Sequence, residues 1–308
     1  MNFEQGPIRP PSEADSLFVR VTRNCPWNKC LFCHVYKGKK FSRRSVEEIK
    51  DDILAMERGA SRVESYALKI DSSGRITREV LEYIYHHEPN LLQIAFWLYR
   101  GGKNVFLQDG DNLTMPADKL AEILIFIREQ FPTVERITTY TRAKTAGRRS
   151  VAELAMLKEA GLTRVHVGLE TGYNPLLDYM RKGITAEEHI EAGLKIKEAG
   201  LSLSEYVILG LGGRSMWKEH ALETAKVLSK IDPNFIRLRT LAMREDIPLL
   251  EKVHLGEFQL SNDDEIVVEE KLLLENLHGT GYLVSDHILN LLEDVEGNLA
   301  RDKTSMLK

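Results

Sequence analysis

Cys25, Cys30 and Cys33 fall within nine residues, Cys25-Pro26-Trp27-Asn28-Lys29-Cys30-Leu31-Phe32-Cys33, and they are all the cysteines of the 308-residue chain. Three thiolates cannot complete a four-cysteine zinc or iron–sulfur site, so a metal held here keeps one position for a different ligand. An open position is where chemistry can take place. Two other readings stand beside this one. His34 is adjacent and would make a zinc knuckle, although neighbouring Cys33 and His34 do not easily chelate one tetrahedral ion together. A disulfide fits less well, because an odd cysteine count without a secretory signal points to a reducing compartment.

The loop has to be delivered by an ordered element, and Ser16-Leu17-Phe18-Val19-Arg20-Val21 alternates and is rich in strand formers. Before it, residues 1–15 carry Pro7, Pro10 and Pro11 and no periodicity, which predicts an extended lead-in. After the loop, Ser45 and Glu48 predict a capping box at a helix start, preceded by a basic segment, Tyr36 to Arg44. That segment reads first as a solvated basic turn. Its lysines, lying beside a cluster, could equally attract an acidic substrate or electron donor. From Val63 to Gly102 the pattern is less regular and predicts an insertion with two helices, about Thr77–His87 and Leu91–Tyr99. His86 and His87 close the first of them, where they suit the helix dipole better than a metal.

A βα alternation follows. Strands are expected at Lys103–Gln108, Arg136–Thr141, Arg164–Leu169, Leu203–Leu209 and Phe235–Leu241, with helices at Pro116–Gln130, Ser150–Ala160, Thr185–Ala199 and Trp217–Ile231. With the first strand this makes six βα units. The fold class is therefore α/β, a partial (βα)6 TIM-like barrel spanning 16–245, with a doubly wound sheet as the alternative. Residues 246–308 are expected to be a mainly helical C-terminal extension closing the barrel, with a linker at Glu257–Ser261, a helix over Asp263–Leu277 capped by Ser261 or Asn262, an apolar strand from Tyr282 and a terminal helix. Ser285-Asp286-His287 follows that strand and reads as a surface turn or as a reach toward the barrel mouth.

Composition sets bounds. The chain has 43% hydrophobic and 29% charged residues, the make-up of a folded globular protein. Its formal charge of -4 gives no global basic field, which argues against a general nucleic-acid binder. No apolar run approaches a membrane span, and the expected location is the cytoplasm.

The cysteine spacing, Cys-x4-Cys-x2-Cys with Phe32 before the last cysteine, resembles the cluster loop of radical S-adenosylmethionine (radical SAM) enzymes, whose usual loop has three residues between the first two cysteines. The strand ends extend the resemblance, since ligands of parallel α/β folds sit there. Val167-Gly168-Leu169-Glu170-Thr171-Gly172, followed by Asn174-Pro175-Leu176-Leu177 and Met180-Arg181-Lys182-Gly183, is similar to the subgroup of anaerobic coproporphyrinogen oxidases and the elongator catalytic subunit. The resemblance implies that Cys25, Cys30 and Cys33 bind three irons of a [4Fe–4S] cluster, the fourth being chelated by SAM. It places Glu170 on the ribose hydroxyls and Lys182 or Arg181 on the methionine carboxylate. Asp109, Gly110 and Asp111 take the place of the turn that meets the methionine ammonium. Arg142 closes the third strand as a further cofactor contact, and Leu209, Gly210, Gly212 and Gly213 form the apolar turn against the adenine. Taken singly, a strand-end Glu is more often a salt-bridge partner, and an acidic turn often only caps the next helix. Arg237 and Arg239 alternate on the sixth strand and are candidate substrate contacts. The implied activity is reductive SAM cleavage to a 5′-deoxyadenosyl radical under anaerobic conditions. It would act on an unidentified small-molecule or peptide substrate, with a flavodoxin- or ferredoxin-type electron donor. The rival from another class is a non-catalytic metal-binding barrel that keeps the cysteine site without the reaction.

Overall fold

In the computed structural model, which describes residues 3–308, the apolar run Leu17-Phe18-Val19 is strand β1 (Leu17–Arg20), buried along its whole apolar length. Burial of consecutive residues, rather than alternate ones, is what a parallel strand covered on both faces requires. β1 belongs to a first compact unit made of residues up to Asn24 with Lys40–Tyr140 and Met156–Arg164. Its helices are α1 (Val46–Ile70), α2 (Arg78–His87) and α3 (Leu92–Tyr99); β2 (Asn104–Gln108), α4 (Ala117–Gln130) and β3 (Arg136–Thr141) follow. β1 pairs parallel with β2, Leu17 opposite Val105, and β2 pairs parallel with β3, Asn104 opposite Arg136.

α1 starts as the sequence predicts. Ser45 Oγ accepts from the Glu48 amide at 3.1 Å and the Glu48 carboxylate accepts from the Ser45 amide at 2.8 Å, satisfying two donors that the first turn would otherwise leave open. It ends later than expected. Ile49, Ile53, Met56, Ala60, Val63 and Ala67 continue one buried stripe at helical spacing, so the helix runs past Val63 to Ile70 and the insertion begins only after it.

The second unit comprises Cys25–Lys39, Thr141–Ala155 and Val165–Lys308. It holds α5 (Ala143–Gly147), and α6 (Val151–Glu159) has residues in both units. Then come β4 (Arg164–Glu170), α7 (Asn174–Tyr179), α8 (Ala186–Glu198), β5 (Ser202–Leu209), α9 (Gly213–Ile231) and β6 (Phe235–Thr240). The C-terminal part adds α10 (Leu249–His254), α11 (Asp263–Asn276), β7 (Tyr282–Val284) and α12 (Leu299–Met306). α9 begins at Gly213, four residues before the expected Trp217. A helical turn that the sequence reading did not include, α10, precedes the expected linker Glu257–Ser261, which carries no helix or strand, and of the two expected caps Asn262 is the one that caps α11. β7 pairs parallel with β6, so the C-terminal segment contributes to the sheet as well as to the helical layer.

Strand order follows chain order within each unit, β1-β2-β3 in the first and β4-β5-β6-β7 in the second. A doubly wound sheet reverses its order at a switch point, and neither unit does. The architecture is the α/β class with a parallel sheet, of the TIM-like partial-barrel kind. No described helix is long and apolar enough to cross a membrane.

Candidate functional site

Leu31 anchors the cysteine loop. Its amide donates to the Met180 carbonyl at 3.0 Å and its carbonyl accepts from the Leu249 amide at 3.0 Å, so both polar backbone groups are satisfied while the side chain is buried. It packs in a cluster with Leu176, Met180, Leu211, Ile247, Leu249 and Phe258, and Phe32 lies against the same cluster. One buried leucine thus fixes a loop whose three cysteines stay half-buried and free. Trp27 holds the other end, its indole Nε1 donating to the Arg181 carbonyl at 2.7 Å beneath the Arg142 guanidinium, 5.0 Å from the ring. Gly183 is required there. Its φ is +71°, and a Cβ would lie 2.2 Å from the Trp27 ring.

The charged residues converge on this loop. Lys182 Nζ is 2.8 Å from Glu170 Oε1 and 5.6 Å from the Phe32 ring centre, and Arg142 Nη2 donates to the Lys182 carbonyl at 2.9 Å. Burial opposes the charge of Lys182, but Glu170 and the neighbouring Cys30 outweigh it and its pKa is raised, keeping the ammonium charged. Burial pushes the Cys30 thiol up from its ordinary value, against the pull of Lys182, and burial likewise raises Cys33, against a hydrogen bond from the Val35 backbone. Arg181 and Glu170 both adopt left-handed backbone, φ +54° and +66°, a conformation uncommon for such residues and tolerated where a site dictates it. His34 sits 3.6 Å from Asp246. Among the described residues no three His, Cys, Asp or Glu side chains gather around a single ion. A four-iron cluster does not ask for that, because each cysteine takes a different iron.

Asp109 and Asp111 lie in the first unit, in the turn Gln108–Asn112, and both are buried. Asp109 accepts from Arg20 Nε at 2.5 Å, in a network that continues through Glu4 to Arg23 and Arg44. The N-terminal segment is laid over this turn: the Gly6 amide donates to Gln108 Oε1 at 2.7 Å, and Gln108 Nε2 donates to the Ile8 carbonyl at 3.1 Å. Asn112 closes it, accepting from Thr22 and donating to the Leu107 carbonyl and Thr139 Oγ1. Gly110 is not among the residues at positive φ; Asp109 is, at +82°.

The turn Leu209-Gly210-Leu211-Gly212-Gly213 lies at the end of β5, and two of its glycines, Gly212 and Gly213, lie close against the protein's own backbone. A Cβ on Gly212 would lie 2.8 Å from the Met216 carbonyl, and one on Gly213 would lie 2.4 Å from the Gln259 carbonyl. Two residues that sequence reasoning missed hold this turn. Glu269 of α11 accepts from the Gly210 amide at 2.8 Å, and His220 of α9 donates through Nε2 to the Ile208 carbonyl at 3.0 Å while contacting Thr171 Oγ1 at 2.8 Å. Both are buried, and a polar residue on the inward face of each helix was the only signal.

The family of radical SAM superfamily proteins matches residues 72–225, half of the chain. That stretch begins downstream of the cysteines, so the match rests on the strand-and-turn pattern and is independent of the loop. An uncharacterized protein of Methanocaldococcus jannaschii is 26% identical over 164 residues, 53% of this chain and 50% of that one. The tRNA uridine(34) acetyltransferase of the same organism is 26% identical over 129 residues, 41% of this chain and 23% of that one. The chain spans half or less of the length of these curated relatives. Among solved structures, coproporphyrinogen III oxidase from Escherichia coli, a radical SAM enzyme, aligns with a TM-score of 0.51 at 16% identity, over 84% of this chain and 52% of that one; this likeness concerns the fold. With half of its length matched, the chain belongs to the radical SAM superfamily.

Proposed function

We propose that this chain is a radical SAM enzyme whose Cys25, Cys30 and Cys33 hold a [4Fe–4S] cluster with SAM on the fourth iron. The observation that carries the reading is the seating of the cysteine loop, through Leu31 and Trp27, on the Met180–Gly183 turn that bears Lys182. Three half-buried thiols with no fourth cysteine suit a cluster with one open iron, and a charged Lys182 beside Cys30 suits an anionic ligand at that position. A cluster held by Cys25, Cys30 and Cys33 would supply the chemistry, one-electron reductive cleavage of SAM that leads to hydrogen abstraction from substrate.

The chain's own part is binding and exclusion. Lys182 receives the methionine carboxylate; an ammonium has three donors, so it can keep Glu170 while doing so. Glu170 takes the ribose hydroxyls, with Arg142 bracing the Lys182 backbone. Leu209 and Gly210 offer an apolar edge to the adenine, with the Gly210 amide held by Glu269. The apolar cluster around Leu31 and Phe32 keeps water from one side of the loop. Asp109 already has its charge compensated by Arg20, so the contacts proposed here are those of the second unit. Exposed Lys29 and Lys39, close to the cysteines in the chain, suit an acidic flavodoxin- or ferredoxin-type donor.

Anaerobic reconstitution tests this. The protein should bind about four irons with matching sulfide, and should release 5′-deoxyadenosine from SAM under dithionite, with Cys25→Ala, Cys30→Ala and Cys33→Ala each inactive. One tightly bound zinc without sulfide, or a loaded cluster that never cleaves SAM, would overturn it.

A further inference from the structure

Alternation along three neighbouring strands of the second unit puts His166 and Glu170 of β4, Ser204 and Tyr206 of β5, and Arg237 and Arg239 of β6 on one face. The contacts agree with the pattern. The His166 and Tyr206 rings meet edge to face at 5.4 Å, the Arg239 guanidinium lies 4.9 Å from the Tyr206 ring centre, and Arg237 Nε donates to Ser204 Oγ at 3.2 Å. Both arginines reach one carboxylate, Asp286, after β7: Arg237 Nη1 at 2.6 Å and Arg239 Nη1 at 2.9 Å. Asp286 is itself set by its neighbours, for Asn290 bonds to Ser285 Oγ at 3.0 Å and to the Leu238 carbonyl at 3.1 Å.

Two features remain unbalanced. Two guanidinium charges face a single carboxylate, so the cluster carries a net positive charge. Arg239 Nη2 is buried with no acceptor, although Arg239 Nη1 has two, Asp286 and the Leu238 carbonyl. A guanidinium nitrogen shut from water without an acceptor is costly, and the Tyr206 ring covers the π face without offering an in-plane lone pair. His287, beside this pair, has its pKa lowered, first by burial and then by Arg239, as expected where positive charge is in excess.

We propose that Arg237 and Arg239 form the anion-binding end of the substrate site, which takes a small substrate carrying a carboxylate or phosphate group. The assignment rests on the radical SAM reading only in calling the ligand a substrate. Its place follows from Glu170, the proposed ribose contact, standing on the same strand face. Asp286 then occupies part of the guanidinium surface until an incoming anion shares or displaces it.

The test uses the anaerobically reconstituted protein, with and without saturating SAM. Thermal midpoints are titrated with succinate, inorganic phosphate and uncharged succinamide at fixed ionic strength. Succinate or phosphate should stabilise the parent and succinamide should not, and the better of the two anions identifies the group. Arg239→Gln should weaken that anion by about tenfold or more, as loss of a charged hydrogen-bond donor does, while iron content and SAM affinity stay at the parent's values. Asp286→Asn should act in the opposite direction and tighten it, because the internal competitor is gone. An anion response equal to that of succinamide, or one unchanged in Arg239→Gln, overturns the site. Weakened anion binding in Asp286→Asn would make Asp286 a binding residue and overturn the competition. If the parent fails to bind SAM, the enzymatic reading falls, and the titrations without SAM still decide whether the arginines bind anions.

Discussion

Two turns at strand ends carry acidic residues of similar promise in the sequence, yet the structure treats them differently. At Gln108–Asn112 Asp109 is fully buried, paired with Arg20 and covered by the N-terminal segment; Asn112 satisfies its neighbours. At Glu170 and Lys182 the pair keeps some exposure, 14% and 11%, and lies beside half-buried Cys30 and the face of Phe32. A strand-end acid is a brace where the chain supplies its whole coordination; where the paired cation keeps donors to share, as at Lys182, the pair suits the cofactor contact proposed above.

The largest effect should come from opening the brace. Arg20→Met leaves Asp109 buried without its closest cation, and unfolding free energy should fall by about 3 kcal/mol, since breaking a buried pair strands a charge. Denaturant melts of the parent and variant read this. A loss below about 1 kcal/mol, the range of exposed pairs, would mean that the turn is looser than its burial implies.

On the other side, Gly183→Ala should cost about 2 kcal/mol or more, from steric conflict with Trp27 together with left-handed backbone. Iron incorporation should fall with it, because Trp27 seats the cysteine loop. Gly38→Ala is the control: its φ is +72° with nothing within 4 Å of the added carbon, so it should cost only about 1 kcal/mol. Equal losses at both sites would show that conformation alone, and not the Trp27 contact, sets the need for glycine.

Glu270 of α11 shows what an uncompensated acid looks like in the second unit. It is buried with Oε1 unpartnered, and burial, followed by its neighbour Glu269, raises its pKa to about 7. The folded state therefore binds this proton more tightly than the unfolded state. The stability it contributes is complete below the unfolded value near 4.5 and is lost as pH rises through about 7. Glu270→Gln should flatten that slope and stabilise the protein at pH 8 by about 2 kcal/mol. An unchanged pH profile would place the titration elsewhere.

The βα alternation was legible because the period-two and period-3.6 patterns are local, and the cap at Ser45 was legible because its partner Glu48 lies three residues away. Partners distant in the chain were not. Arg20 and Asp109 are 89 positions apart, and nothing in either segment announces the pairing. Glu269 reaches the Gly210 amide from 59 positions downstream, and a glutamate on a helix otherwise reads as solvent-facing. The glycines at 212 and 213 were visible as glycines, but room for a ligand and room for the chain's own backbone leave the same mark in a sequence. The cysteine loop was legible by composition, whereas its seating through Leu31 depends on Met180 and Leu249, far away on separate elements.

The most direct test of the account is SAM affinity in Lys182→Met, measured on reconstituted protein beside its iron content. Loss of one charged partner should weaken SAM by about tenfold while the iron count stays at the parent's level. Glu170→Gln should fall in the same range. Parent-like SAM affinity in both variants, with the cluster intact, would contradict the claim that the turn beneath the cysteine loop is where the cofactor binds.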